Sequence, residues 1–350
     1  MKFLLLSLVG LSCGATAFGG GYSPARPDGE HVIVDPAIPA FAPAPPLEGT
    51  LNIVGGGGTN VPSSMTALID LWTEIFKHAH PSVVVHRALF SAGSVASTLI
   101  EGTAQLGIVN RELLPHENYL YRNYAAKPLG VPVAGGSYRT PGTTPSEVVI
   151  VHPQNPLQQL TLAQLDAIYS KTRKRGYPED ITRWGQLGLT GEWADKPIHL
   201  YGFQMPDGIP NFFIARVLNG GEFKDGIVDR PLNHSTGGNE SILQRVAQDE
   251  NGIGYINRTA VQPDTHVVKL AETDAGPFST GTFEETAQRT YPLSRSIFLF
   301  LNKEPGKPLD PLAAEFIRVA LSQEGQQAVA RTYYLPLPAS AAKDARALLQ

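Results

Sequence analysis

The stretch that most constrains this chain is Leu51-Asn-Ile-Val-Gly-Gly-Gly-Gly-Thr-Asn-Val-Pro-Ser-Ser64. Leu51, Ile53 and Val54 read as a short strand, the four glycines as a turn, and the residues from Pro62 onward as a helix. Met65, Leu68, Ile69, Leu71, Trp72, Ile75 and Phe76 recur mostly at spacings of three and four, the helical period. Proline is tolerated in the first helical turn, and Thr59, Asn60, Ser63 and Ser64 are all capping types. Glycines between a strand and a helix let the backbone approach a ligand. The helix start adds free N–H groups and the positive end of its dipole, which suits an anion. The same turn also serves as a plain tight connection in α/β folds. No Gly-Lys-Ser/Thr and no G-x-G-x-x-G is present, so this is neither a nucleotide P-loop nor a dinucleotide fingerprint.

With 350 residues the chain can bury one large or two medium cores. Its net charge is −4 and it carries no dense Lys/Arg run, which argues against a nucleic-acid partner. Met1-Lys-Phe-Leu-Leu-Leu-Ser-Leu-Val-Gly pairs one positive charge with an apolar run too short to span a membrane. Ala15-Thr-Ala17 then reads as a cleavage site, so residues 1–17 are expected to be a signal peptide and the protein periplasmic or secreted. A lipoprotein would use Cys13, but Gly10 stands where a lipobox needs Leu. Cys13 is the only cysteine, so the mature chain is expected to lack disulfides and thiol chemistry. Residues 18–48 are rich in Gly and Pro with little periodicity, which predicts an extended or mobile arm.

Downstream, Ser82–Phe90, Leu106–Val109, Leu129–Val133, Glu147–His152, Pro197–Tyr201, Gly252–Asn257 and Ile297–Leu301 read as strands. Val95–Glu101, Glu117–Ala126, Phe212–Leu218, Asn239–Gln248 and Leu312–Ala330 read as helices, and Thr161 caps another through Tyr169. Strand–helix–strand order implies parallel strands with right-handed crossovers. The chain therefore fits two α/β halves, with the C-terminal helix returning to the first.

Several landmarks occur in one order: Gly57-Gly-Thr59, Ala92-Gly-Ser94, Gly107-Ile-Val-Asn-Arg111, Asn155-Pro-Leu157, Trp184-Gly-Gln-Leu-Gly188, Gly252-Ile-Gly-Tyr255, Tyr291-Pro-Leu-Ser-Arg295, Leu321-Ser-Gln-Glu-Gly-Gln326 and Pro336-Leu-Pro338. As an ordered set they resemble the periplasmic phosphate-binding proteins of ABC phosphate importers, the PstS type, from about Leu51 to Pro338. The resemblance implies a two-lobed periplasmic binding protein-like fold of type II, with mixed sheets flanked by helices and a ligand cleft closed by hinge bending. Lobe 1 is expected over 49–147 and 291–350, and lobe 2 over 148–290. The implied partners are phosphate or a similar oxyanion and an ABC permease. The protein is expected to act as a monomer without cofactor or metal.

On lobe 1 the resemblance carries over to Thr59, the backbone of Asn60, and Ser94. Asn110 and Arg111 stand where related sequences carry Ser-Arg or Ser-Asp. On lobe 2 the family's arginine and its following Ser-Gly-Thr are replaced by Phe203 and Asp207-Gly208-Ile209. Gly238 and Asn239 begin a further helix that the resemblance puts near the cleft. Losing one cationic fork and two hydroxyls removes donors worth roughly 1.5–3 kcal/mol each when charge-assisted. Two readings stay open. In one, Arg111 supplies the charge and Asp207 accepts the proton of hydrogen phosphate, which favours phosphate over sulfate. In the other, the scaffold is repurposed for another solute, a protein partner or sensing. Plain structural roles also stand beside these: a cap for Asp207 and Ser94, a surface salt bridge for Arg111. An enzyme is disfavoured, since no G-x-S-x-G elbow, H-E-x-x-H or metal-ligand spacing occurs.

Overall fold

The computed structural model describes residues 32–56, 64–140, 143–203, 205, 208–229 and 238–350. The expected signal peptide, the first part of the arm, and Thr59, Asn60 and Asp207 lie outside the described residues. The chain first builds β1 (Gly49–Gly55), α1 (Ser64–Ala79), β2 (Val83–Ala88), α2 (Val95–Ile100), β3 (Leu106–Val109), α3 (Pro115–Leu120) and β4 (Lys127–Gly135). It continues through β5 (Glu147–Val151), β6 (Gln159–Thr161), α4 (Leu162–Tyr169), β7 (His199–Gly202), α5 (Gly208–Arg216) and β8 (Val228–Asp229). Then come α6 (Gly238–Gln248), β9 (Gly252–Asn257), β10 (His266–Val267), β11 (Lys269–Ala271) and α7 (Phe283–Ala287). It closes with β12 (Ser296–Lys303), α8 (Pro311–Ala320), α9 (Gln323–Ala330) and α10 (Ala339–Ala347).

Two five-stranded sheets form the two lobes, in the orders β2-β1-β3-β12-β4 and β10-β5-β9-β7-β8. In the first, β1 pairs in parallel with β2 and β3, as the crossover reading predicts. The late strand β12 instead runs antiparallel to both β3 and β4. In the second sheet β7 is parallel to β8 and β9, while β5 is antiparallel to β9. Each sheet has its own core. Leu51, Ile53, Leu68, Trp72, Phe76, Leu299 and Phe316 belong to the first, and Val149, Tyr169, Phe203, Phe213, Tyr255 and Leu293 to the second. Two segments running side by side join the lobes: Gly136 N–H donates to Arg295 O at 2.8 Å and Glu147 N–H to Leu293 O at 3.3 Å. A Cβ on Gly136 would collide with the Thr144 carbonyl oxygen, so only glycine lets the strands pass this closely.

Three of the expected helices differ in their bounds, and β6, β8, β10, β11, α7 and α10 are not among the expected elements. The long C-terminal helix is two, α8 and α9, because Ser322 breaks it and caps the second half by accepting from Gly325 N–H at 3.1 Å. The helix α3 starts at Pro115 and gives way at Tyr121 to a short 3-10 turn, since proline favours the first helical position. α5 begins at Gly208, four residues before Phe212.

The described part of the Pro-rich arm is docked on lobe 1. Ile38 is buried in the first core, with Val34, Phe41 and Leu47 packed against it. Side-chain acceptors on lobe 1 take the arm's N–H groups: Glu324 from Phe41 at 2.7 Å, Glu315 from Ala44 at 2.7 Å, and His80 Nδ1 from Leu47 at 3.2 Å. Asp35 in turn accepts from Ala339 N–H at 2.9 Å, at the start of α10.

Candidate functional site

The ends of the parallel strands converge on one seam between the lobes, where open α/β sheets place their ligands. β1 ends at Gly55, whose φ of +152° and close approach to the Ile108 carbonyl oxygen exclude a side chain. β3 ends at Val109 and leads straight into Asn110 and Arg111. Because β12 is antiparallel to β3, its start brings Arg295 to the same end. On lobe 2, β9 ends at Asn257 opposite Glu147 at the start of β5. α5 starts there at Gly208 and α6 at Gly238.

Arg295 ties these groups together. Its side chain is 5% exposed; Nη1 meets Glu147 Oε1 at 3.0 Å, and Nη2 reaches Asn110 O at 3.3 Å and Gly208 O at 3.5 Å. Its guanidinium lies 4.7 Å over the Phe212 ring, a cation–π contact that holds the plane. Lobe 1 also meets lobe 2 through Asn211 Nδ2, which donates to Glu112 O at 3.2 Å.

The expected site residues separate into two groups. Asn110, Arg111 and Gly208 come together: a Cβ on Gly208 would sit 3.7 Å from Arg111 Cδ. Arg111 is not an open cation, however. It is buried, and both terminal nitrogens bond the buried Glu117 carboxylate at 2.7 Å, with Nη1 also donating to Glu112 O at 2.9 Å. Its salt bridge is thus buried and bidentate rather than a surface pair. Ser94 does not cap α2 with its side chain; its hydroxyl donates to Ser91 O at 2.9 Å. The cap of the preceding turn is Ser91, which accepts from Gly93 N–H at 3.2 Å. Gly238 is buried at the first turn of α6, and Asn239 Oδ1 accepts from Asn257 N–H at 2.8 Å, pinning that helix to β9.

Phe203 lies in the lobe-2 core, fully buried, with its ring 6.1 Å from that of Tyr255. The Tyr255 hydroxyl accepts from Phe203 N–H at 3.0 Å and donates to Phe203 O. The ring therefore packs into the lobe-2 core rather than into the seam. Beside the seam, Arg216 bonds Glu272 and Pro292 O, and its pKa is pushed down to about 10 by burial and then by Arg175 and Arg289. Burial also lowers Arg289, with the Glu112 carboxylate opposing it. Sequence reading missed Arg295, Glu147 and Glu117 as members of the site. Arg295 closes one of the landmarks, and its place immediately before a β run was the available signal. Among the described residues no group of His, Cys, Asp and Glu is arranged to hold a metal ion.

Two α/β lobes joined by paired strands, with helix starts and strand ends facing one seam, define a two-lobed binding protein. The family model described as a PBP superfamily domain matches residues 46–324. Two curated relatives, the phosphate-binding protein PstS of Pseudomonas aeruginosa strains PAO1 and UCBPP-PA14, are each 35% identical over 313 residues, covering 89% of this chain and 90% of theirs. The chain belongs to the PBP superfamily and, within it, to the PstS family. PstS from Borrelia burgdorferi shares the fold, with a TM-score of 0.51 and 17% identity over 83% of this chain and 99% of that one. An ABC-type phosphate transport receptor from Vibrio cholerae does so with a TM-score of 0.50 and 19% identity over 82% of this chain and 100% of that one.

Proposed function

We propose that the protein is an extracytoplasmic receptor that captures phosphate, or a closely similar oxyanion, between its lobes for an ABC importer. The observation that carries this reading is the seam itself, where one guanidinium reaches the main chain of both lobes at Asn110 and Gly208. The names of the P. aeruginosa relatives supply the ligand class. Asn110, Arg111 and Gly208, which the fold brings together, form the centre of the proposed site, and Ser94, Gly238, Asn239, Thr59, Asn60 and Asp207 join it on sequence grounds. Contacts to both lobes would stabilise the shut state, so its population rises on binding. Residues 1–17 would direct export, and a permease would receive the solute from a monomeric receptor. Among the described residues no helix is long and apolar enough to cross a membrane.

A second reading, a PstS scaffold serving another solute, draws on the charge balance of the seam. Glu117 faces Arg111 and Glu147 faces Arg295, so these two cations do not add up to a net positive site. Calorimetric titration of stripped mature protein with phosphate and with sulfate separates the two. Binding of phosphate and a rise in melting temperature equivalent to about 2.7 kcal/mol at a hundredfold excess over Kd are expected. Silence toward both anions would remove the receptor reading and leave the second.

A further inference from the structure

We propose that Arg295 is the cation that reads the bound oxyanion, supplied from the hinge in place of the arginine that lobe 2 lacks, with Glu147 as its positioning residue. This rests on the reading that the seam takes an oxyanion. The two guanidinium groups at the seam differ in how they are occupied. Arg111 spends Nη1 and Nη2 on 2.7 Å bonds to Glu117, a pair too short and too buried to open cheaply. Arg295 has one close carboxylate contact, Nη1 to Glu147 at 3.0 Å. Its Nη2 makes only long contacts, 3.3 Å to Asn110 O and 3.5 Å to Gly208 O, beyond or at the edge of the usual N–H···O range. These two carbonyls belong to facing walls, so Nη2 points into the place where a guest would touch both.

An oxyanion at that place would exchange two weak carbonyl contacts for a charge-assisted bond, roughly twice as strong as a neutral one. Phe212 beneath the guanidinium and Glu147 beside it fix the direction in which Nη2 donates. The residue also sits where both lobes are covalently continuous: Gly136 N–H bonds its carbonyl, and β12 begins at the next residue. A cation at the hinge keeps its distance to the guest while the lobes open and close. A cation on the lobe-2 wall, where Phe203 now faces the core, would not.

The test uses the full mature protein, with inorganic phosphate as the probe in calorimetry and thermal melts without ligand as the control for folding. Arg295→Gln is expected to weaken phosphate binding roughly 10- to 100-fold, the loss of one charged donor. Arg295→Lys should recover only part, because a point charge lacks the fork. Glu147→Gln should weaken binding less than Arg295→Gln does. Phosphate affinity within about twofold of wild type in a folded Arg295→Gln protein overturns the assignment while the receptor reading stands, since a lost charged donor costs far more than that. A wild type silent toward phosphate overturns both. Should the variants fail to fold, a crystal of the wild type grown with phosphate decides. An oxygen within hydrogen-bond reach of Nη2 supports the assignment, and phosphate held away from Arg295 overturns it.

Discussion

On lobe 1 Arg111, the second residue after the central strand β3, is buried against Glu117 at the seam. On lobe 2 the residue that follows β7, Phe203, has turned away from the seam and joined an aromatic core. There Phe213 stacks on Tyr255 at 4.1 Å, with Tyr169 edge-on to both at 5.2 and 5.6 Å. The lobe-1 core has a smaller aromatic element, with Phe316 6.5 Å from Trp72 and 5.5 Å from Phe76. The contrast teaches that one wall of a cleft can give up its charged side chain to packing while its backbone, Gly208 at the start of α5, still faces the partner wall. What the wall loses has to come from elsewhere in the seam.

The largest effect should come from forcing lobe 2 to resemble its family. Phe203→Arg removes a buried ring and buries an unpaired cation, so a cost upward of ~5 kcal/mol is expected. At roughly 2–4 °C per kcal/mol that lowers the melting temperature by about 10 °C or more. A melting temperature unchanged by Phe203→Arg would show that the position can face the cleft after all. On lobe 1, Glu117→Ala leaves Arg111 buried without its partner and should cost ~3–5 kcal/mol in urea unfolding. Replacing both by methionine should restore most of that loss; if the double variant is as unstable as the single one, the pair does more than cancel its own charge.

Where the lobes use the same local chemistry, they should respond alike. Ser322 caps α9 on lobe 1, and Thr161 caps α4 on lobe 2 by accepting from Gln164 N–H at 3.2 Å. Each change to alanine should cost ~1 kcal/mol, and a disparity well beyond that would mark one helix as coupled to hinge motion. The smallest effect is a pH dependence. In Asp35 the Ala339 and then the Ala37 N–H groups hold the carboxyl below its usual value. In Asp249 burial pushes upward, but hydrogen bonds from His199, Tyr201 and the Asn251 N–H win and hold it low. Both folded values lie below the unfolded ones, so each contribution is full above about pH 4 and is lost as the pH falls through the folded value. Asp249→Asn should flatten the acid limb of the stability profile, and an unchanged limb would place the dependence elsewhere.

Local order was largely legible in the residues. β9 runs over the expected Gly252–Asn257, and α6 begins one residue before the expected Asn239. The antiparallel course of β12 was not legible, since its neighbours β3 and β4 lie more than 160 residues earlier and nothing near Ser296 encodes direction. The break between α8 and α9 was hidden because Leu321 continues the apolar period of α8 and Ala328 and Val329 resume it, while the capping bond from Gly325 N–H to Ser322 ends the first helix. At the site, residue type pointed to Ser94 and Arg111 as donors. Their actual partners, Ser91 O and Glu117, depend on how short loops fold back, which spacing does not reveal. Arg295 stood in plain view, but its reach to Gly208 comes from a fold that brings together positions 87 residues apart.

The docked arm has a practical corollary for anyone watching this receptor move. The arm and α10 sit on the same half of the protein, the arm held down by the Asp35 contact to Ala339 at the start of α10 and by the bond from Gln323 N–H, at the start of α9, to Pro39 O at 2.9 Å. A bead, slide or dye handle attached near either of them grips that half alone. The other half stays unencumbered, so a second dye on α6 would report its swing directly, in single molecules, as a change in distance.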